Sequence, residues 1–390
     1  MTSLRIRGAR SRWVGWLALA AALLLAGFRT PVAQAPPAPD YLFNDGHVHL
    51  TNYIKKDTPL PDFLKIMGAK VGKAVLFGIP LQQEWSYRLD GERAPTYYLQ
   101  SDAPLYYYSF VDASIAMAYR SLPKADQARF DPMIIGFDPA DMYAADHVRR
   151  VLETFPGVFE GIGEFTIHKE FVSAKIAGGP PSLQGRALDR LLDFAGEVGL
   201  VALIHCDVDV PFAKYVSKSA YLEPMKALMK RHPKTTIIWA HLGLGRVVRP
   251  VKDQGILVED ILKDPAFSHV YFDISWDEVA KYLSNTPETA ARVAAIFNRY
   301  PDRILFGTDE VAPTSQEKYL RVCYMYDPLW KLLSKDASER IRKGNYERIF
   351  NQARIRIRAW EHANVKVAGP SERGRRPEPH QQVPALNLAL

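Results

Sequence analysis

Cysteine is nearly absent. The chain has 390 residues and only Cys206 and Cys323, far apart, which excludes a framework of disulfides. Cys206 follows His205 in a strand-like run, so its side chain points away from that histidine's face and reads as a buried free thiol. Beyond Phe28 no segment is apolar enough to span a membrane, which takes about 20 residues. An excess of one charge sign is also missing once the N-terminus is set apart. The formal charge is +7, but residues 1–35 hold five arginines (Arg5, Arg7, Arg10, Arg12 and Arg29) and no acid. The remainder carries 45 basic against 43 acidic residues. Nothing there makes an electrostatic case for nucleic acid. No internal repeat is found.

What is present begins with those first residues. A basic start leads into VGWLALAAALLLAGF, Val14 to Phe28, and then Ala33-Gln34-Ala35 before Pro36. A basic, then apolar, then small-residue order is that of a secretory signal. The expected organisation is a signal peptide over 1–35, a stiff linker over 36–40, one folded unit over 41–360, and a polar, Pro-rich disordered tail over 361–390. The protein is expected to be exported, periplasmic or secreted, with no stable membrane anchor after cleavage.

Strand-like and helix-like runs then alternate. The strand candidates are 41–49, 73–80, 132–139, 159–165, 200–207, 235–243, 269–275 and 303–310. Most are short apolar runs without polar alternation, as in strands buried on both faces of a parallel sheet. Between them, Leu188, Leu191, Leu192 and Ala195 fall at i, i+3, i+4 and i+7, one face of a helix. The pattern predicts an α/β fold, a distorted (β/α)8 TIM barrel, although an open doubly wound sheet would alternate too. Residues 81–130 exceed a minimal barrel. They form an aromatic-rich insertion after the second strand, helical in its second half. Residues 166–184 read as a loop.

Polar residues interrupt the apolar strands near their ends. His47 and His49 end the first strand, Glu164 the fourth, His205 the fifth, His241 the sixth and Asp309 the eighth. In a barrel, the C-terminal strand ends share one mouth, where catalytic residues gather. Imidazoles and carboxylates are the donors that zinc and related ions take. The set could hold one or two divalent ions, zinc the first choice, and a metal lowers the pKa of water to about 7. Asp309 can both touch a metal and carry a proton, and His241 stands beside it as the second catalytic candidate. For Glu164 the competing reading is a core carboxylate paired with a nearby Lys or Arg. Arg246, in HLGLGR after the sixth strand, could pair a substrate carboxylate or phosphate, or could form a salt bridge that holds its loop. His168, placed in the 166–184 loop, could touch substrate. His147 and His232 are assigned to solvated faces or helix ends.

HVH on the first strand, single histidines ending the fifth and sixth, and an aspartate ending the eighth resemble the amidohydrolase superfamily. GIGEF (161–165), WAHLG (239–243), FGTD (306–309) and GNYERIF (344–350) are similar to its amidohydrolase-related branch. The resemblance covers most of 41–350. It implies a distorted TIM barrel with one or two divalent ions. His47, His49, His205, His241 and Asp309 match its ligands, and Glu164 matches the bridging glutamate of some members. Two activities stay open. One is a hydrolase using a metal-activated water on an amide, ester, lactone or phosphoester. The other is a non-oxidative decarboxylase of an aromatic or unsaturated acid, with Arg246 anchoring a carboxylate. Either acts on a small molecule. A homo-oligomer is compatible with the sequence, as is a binding barrel without turnover.

Overall fold

The computed structural model describes residues 40–51, 56–79, 106–169, 181–213, 219–251 and 253–365, all within the unit Asp40–Leu390. The signal peptide, residues 36–39 of the linker, and the tail from 366 lie outside the described residues.

Ten strands are described: β1 (Phe43–Asp45), β2 (Val48–His49), β3 (Val71–Leu76), β4 (Phe130–Ile134), β5 (Gly161–His168), β6 (Val201–Cys206), β7 (Thr236–Trp239), β8 (Val270–Asp273), β9 (Ile304–Leu305) and β10 (Glu310–Val311). Eight of them form one sheet in the order β1-β3-β4-β5-β6-β7-β8-β9. Every pairing in it is parallel, and spatial order follows chain order. The sheet curls until its ends meet. Gly46 N donates to Phe306 O at 3.1 Å, Asp309 N to His47 O at 2.7 Å, and Ala312 N to His49 O at 2.8 Å. Beyond that seam β2 pairs in parallel with β10. This is the TIM barrel expected from the alternation of apolar runs.

The strands are buried on both faces, which is why they lack polar alternation. Phe43, Ala74, Ile162, Leu203, Ile237 and Phe272 are all fully buried. Helices supply the outer layer. Helix α1 (Leu60–Met67) precedes β3, and α2 (Tyr106–Ser121) lies between β3 and β4. Thus the insertion after the second barrel strand is helical in its second half; residues 80–105 lie outside the described part. Helix α3 (Arg186–Val198) buries Leu188, Leu191, Leu192 and Ala195, the face its spacing marks. Each such leucine contributes about 1.5–3 kcal/mol by leaving water. No helix among the described residues is long and apolar enough to cross a membrane.

The final helix, α4 (Asn345–Asn364), fastens the N-terminal end of the barrel. Asn345 Nδ2 donates to the carbonyls of Pro301 and Ile304, each at 2.7 Å. Tyr346 OH donates to Asp131 Oδ2 at 2.7 Å. The GNYERIF segment is therefore a structural latch. The helix also runs past the domain end expected at 360, because Ile357 and Trp360 still bury apolar surface and Glu361 accepts from Arg358 and from Gly157 N.

Several boundaries differ from those expected. The first strand breaks at Gly46-His47, since the Asp45 carboxylate turns back to accept from His47 N at 3.1 Å. The sixth barrel strand ends at Trp239, and His241 sits in a following turn at φ 58°. Asp309 lies between β9 and β10 at φ 53°. His168 is not in a loop, because β5 pairs with β6 as far as His168 opposite Cys206.

Candidate metal centre

At the C-terminal ends of the strands, six side chains from five places in the sequence converge. His47 arrives from the break between β1 and β2, His49 from β2, Glu164 from β5, His205 from β6, His241 from the turn after β7, and Asp309 from the turn after β9. Glycine makes two of these approaches feasible. At Gly163, with φ 117°, a Cβ would lie 2.2 Å from Leu203 O. At Gly307 a Cβ would lie 2.7 Å from that of His47. Only bare backbone lets β5 press against β6 and the last strand against the first.

Asp309 Oδ1 lies 3.3 Å from His47 Nε2 and 3.1 Å from His49 Nε2. Glu164 Oε2 is 3.4 Å from His49 Nε2 and 3.8 Å from His47 Nε2. Its Oε1 is 3.3 Å from His241 Nε2 and 2.6 Å from His205 Nδ1. All four histidines and Glu164 are buried, and the Asp309 side chain is 8% exposed. Three overlapping triads place their donor atoms within 4.8 Å of one another: His47, His241 and Asp309; His47, His49 and Glu164; Glu164, His205 and His241.

The partners on the outer side of each ring fix what it presents inward. His47 Nδ1 donates to Asp273 Oδ2 at 2.7 Å, and His49 Nδ1 donates to Gly78 O at 3.0 Å. Carboxylates and carbonyls only accept, so both rings keep an Nε2 lone pair facing inward when neutral. His205 stands between two carboxylates, with Nε2 3.1 Å from Asp207 Oδ1.

Charge in this buried pocket is strongly coupled. Burial pushes His47 down, but Asp273, Asp309 and Glu164 outweigh it and hold its pKa well above the ordinary value. His49 and His205 are also raised, against burial, by Asp309 and Glu164 and by Glu164 and Asp207 respectively. For His241 burial prevails and its pKa is lowered. Burial would raise both acids; instead Lys169, His205 and His47 hold Glu164 well below the ordinary range, and His47, His49 and His241 do so for Asp309. The carboxylates are thus ionised.

These residues fit a cation. His47 Nε2, His241 Nε2 and Glu164 Oε2 are buried without a hydrogen-bond partner, and all three belong to the clustered donor set. Buried polar atoms are almost always satisfied. Three orphans converging on one pocket are what a donor set able to hold an ion would leave.

The other expected residues fall differently. The guanidinium of Arg246 lies 5.6 Å over Trp276, whose ring is 5.2 Å from His241, and Arg246 Nε is 3.8 Å from Glu278. It stands one indole away from the cluster, in an ion pair that ties its loop to the helix Asp277–Ser284. His168 stacks on Tyr221, with ring centroids 3.8 Å apart and an interplanar angle of 10°. His232 is not on a solvated face: it is buried between Asp193 and Asp189, 2.9 Å from each. Both cysteines are free and buried. Trp239 packs on Phe272 and donates to Cys206 O at 2.7 Å.

Three residues beyond the expected set shape the centre. Asp207 and Asp273 hold ligand-type rings from behind. Lys169 Nζ lies 3.7 Å from Glu164 Oε2 and 5.7 Å over the Trp276 ring. Asp273 also ends an apolar run, which is the signal that could have found it. Asp207 ends the apolar run 200–207 and carries the same mark, whereas Lys169 follows its strand and carries none.

A family model described as amidohydrolase matches residues 45–352. No curated protein matches. Among solved structures, an amidohydrolase from Burkholderia multivorans with bound zinc is 15% identical, with a TM-score of 0.48, over 80% of this chain and 99% of that one. A protein provisionally described as a 2-pyrone-4,6-dicarboxylic acid hydrolase, from Pseudomonas putida, is 15% identical at TM-score 0.48, over 80% and 98%. The 5-carboxyvanillate decarboxylase of Sphingomonas paucimobilis is 13% identical at TM-score 0.44, over 79% and 98%.

Proposed function

This chain belongs to the amidohydrolase family, and from that premise we propose that it is an exported metal-dependent hydrolase. Its substrate is a small molecule with an amide, ester, lactone or phosphoester. The observation that carries the reading is the convergence of orphaned His47 Nε2, His241 Nε2 and Glu164 Oε2 on Asp309 at the barrel mouth. His47, His49, His205, His241, Glu164 and Asp309 would hold one or two divalent ions, zinc the first choice. When bound, such an ion supplies Lewis acidity and lowers the pKa of a water to about 7.

The chain's own residues do the rest. Asp309, ionised and the only one of the six with more than a trace of exposure, takes a proton from the attacking water and returns it to the leaving group. His241 shares that side of the pocket, its Nε2 3.9 Å from Asp309 Oδ2. The packed walls exclude bulk water, which strengthens every charge interaction inside. Export is supported by the basic, apolar and small-residue order of the first 35 residues.

A decarboxylase of an aromatic or unsaturated acid is the second reading, and Lys169 favours it. Its ammonium already compensates Glu164, so a second bridging cation is less needed. Arg246 would then anchor a carboxylate, and His168 would line the approach. The test is metal analysis of the purified protein with a screen of esters, lactones, amides and aromatic acids. Turnover lost in His205→Ala supports the site, and turnover unchanged there contradicts it. One tight ion per chain, with binding intact in Glu164→Gln, favours the decarboxylase over the hydrolase.

A further inference from the structure

We propose that Asp273, acting with Ser275, is the positioning residue that decides which ring nitrogen of His47 and of His241 faces the metal-binding cluster. The inference rests on the metal-centre reading above and extends it to residues outside the donor set.

Every donor and acceptor around the Asp273 carboxylate has an assigned role. Asp273 Oδ1 receives Ser275 N at 2.9 Å, His241 N at 3.0 Å and Ser275 Oγ at 2.7 Å. Two of these are backbone amides, which can only donate, so this position must be an acceptor. Asp273 Oδ2 is left for His47 Nδ1 at 2.7 Å. The serine proton goes to Oδ1, which leaves Oγ to accept. His241 Nδ1 lies 3.0 Å from that Oγ and 3.4 Å from the Ser275 carbonyl oxygen, and His47 Nδ1 lies 3.1 Å from the same Oγ. Both rings therefore carry their proton on Nδ1. The two nitrogens left bare are His47 Nε2 and His241 Nε2, which are the two orphaned ring nitrogens of the cluster. One carboxylate on β8 thus presets donors that arrive from the break between β1 and β2 and from the turn after β7. Asp273 and Ser275 are themselves fully buried, so water cannot take over their role.

Asp273→Asn keeps the shape and removes the charge. The two backbone amides require the asparagine oxygen at the Oδ1 position. The amide NH2 must then face His47 Nδ1 and donate to it. The His47 proton moves to Nε2, where it points at Asp309 and Glu164 and blocks the lone pair a metal needs. A purely structural role for Asp273 would not move that proton.

The experiment uses the full chain with 15N-labelled histidine, stripped of metal, at a pH alkaline enough that the rings are neutral. The nitrogen shifts report the tautomer, and zinc titration of the same samples reports affinity. We expect His47 as the Nδ1–H tautomer in wild type and Nε2–H in Asp273→Asn, with zinc affinity about 10–100-fold weaker, the usual effect of losing such a partner. Ser275→Ala leaves the carboxylate in place, so it should perturb His241 and leave His47 as in wild type. If Asp273→Asn does not fold, the serine variant carries the test alone. An unchanged His47 tautomer in Asp273→Asn, unchanged zinc affinity there, or an unperturbed His241 in Ser275→Ala overturns the proposal. Wild-type protein with the stated tautomers but no zinc uptake supports the clamp and sinks the metal-dependent reading instead.

Discussion

Gly163 is where fold and chemistry meet most closely, and substituting it tests both. It immediately precedes Glu164, and its backbone at φ 117° runs against β6. In Gly163→Ala the new Cβ would sit 2.2 Å from Leu203 O and 3.1 Å from Leu203 C. Ordinary contact needs about 3.4 Å or more, and the obstacle is strand backbone rather than the end of a flexible side chain. Either β5 moves away from β6 or its pairing breaks. Overpacking of this kind costs about 1–3 kcal/mol, and the positive φ adds about 1–2 kcal/mol for a residue with a Cβ. The sum is about 2–5 kcal/mol, or roughly 3–7 °C in thermal midpoint for a folded unit of this size. Moving β5 also draws Glu164 from His205, now 2.6 Å away, so metal uptake should weaken with stability. Gly157→Ala is the control. Its φ is 83°, but nothing lies within 4 Å of the added carbon, so it should cost only about 1–2 kcal/mol. Chemical denaturation followed by circular dichroism, with a metal titration on both variants, gives the comparison. Equal losses in the two variants, or full metal uptake by Gly163→Ala, would refute the reasoning.

Three further outcomes are expected. Chelating the metal from loaded protein should destabilise it by about 2.7 kcal/mol relative to protein with free metal at 100 times its dissociation constant; a thermal midpoint indifferent to chelator and to added zinc contradicts this. At the other end of the barrel, Arg354 pairs with buried Asp131 and with Glu160, so Arg354→Met should cost about 3 kcal/mol through the charge left behind. Adding Asp131→Asn should recover part of that loss in denaturant titrations, and no recovery would count against the pairing. Burial raises the Cys323 thiol to about 12 and pushes Cys206 well above its ordinary value. Both should resist iodoacetamide in the native protein and react once it unfolds; mass spectrometry of native protein alkylated at either site would contradict the packing.

Much of the fold is legible in the sequence, because a buried parallel strand has a plain mark: a short apolar run with no alternation. The donor set is legible for the same reason. A histidine or carboxylate at the end of such a run is conspicuous, and the barrel brings those ends together. What the runs do not show is curvature at their ends. His241 and Asp309 sit in left-handed turns just past the strands, and a period of two residues says nothing about where pairing stops. His168 was displaced from loop to strand because β5 gains pairing partners on β6 that its own sequence does not reveal. The residues behind the cluster are harder still. Asp207, Asp273 and Ser275 act by hydrogen bonds across 2, 226 and 34 positions of sequence, to His205, His47 and His241. Contacts of that kind exist only after folding.

The central claim is that the imidazoles of His47, His49, His205 and His241 and the carboxylates of Glu164 and Asp309 surround a cation. A crystal structure of protein loaded with zinc, with anomalous scattering recorded at the zinc edge, tests it most directly. The account predicts a peak bounded by His47 Nε2, His241 Nε2 and the carboxylates of Glu164 and Asp309. A zinc-loaded crystal with no anomalous peak in this pocket, or with the metal held only at the protein surface, would contradict it.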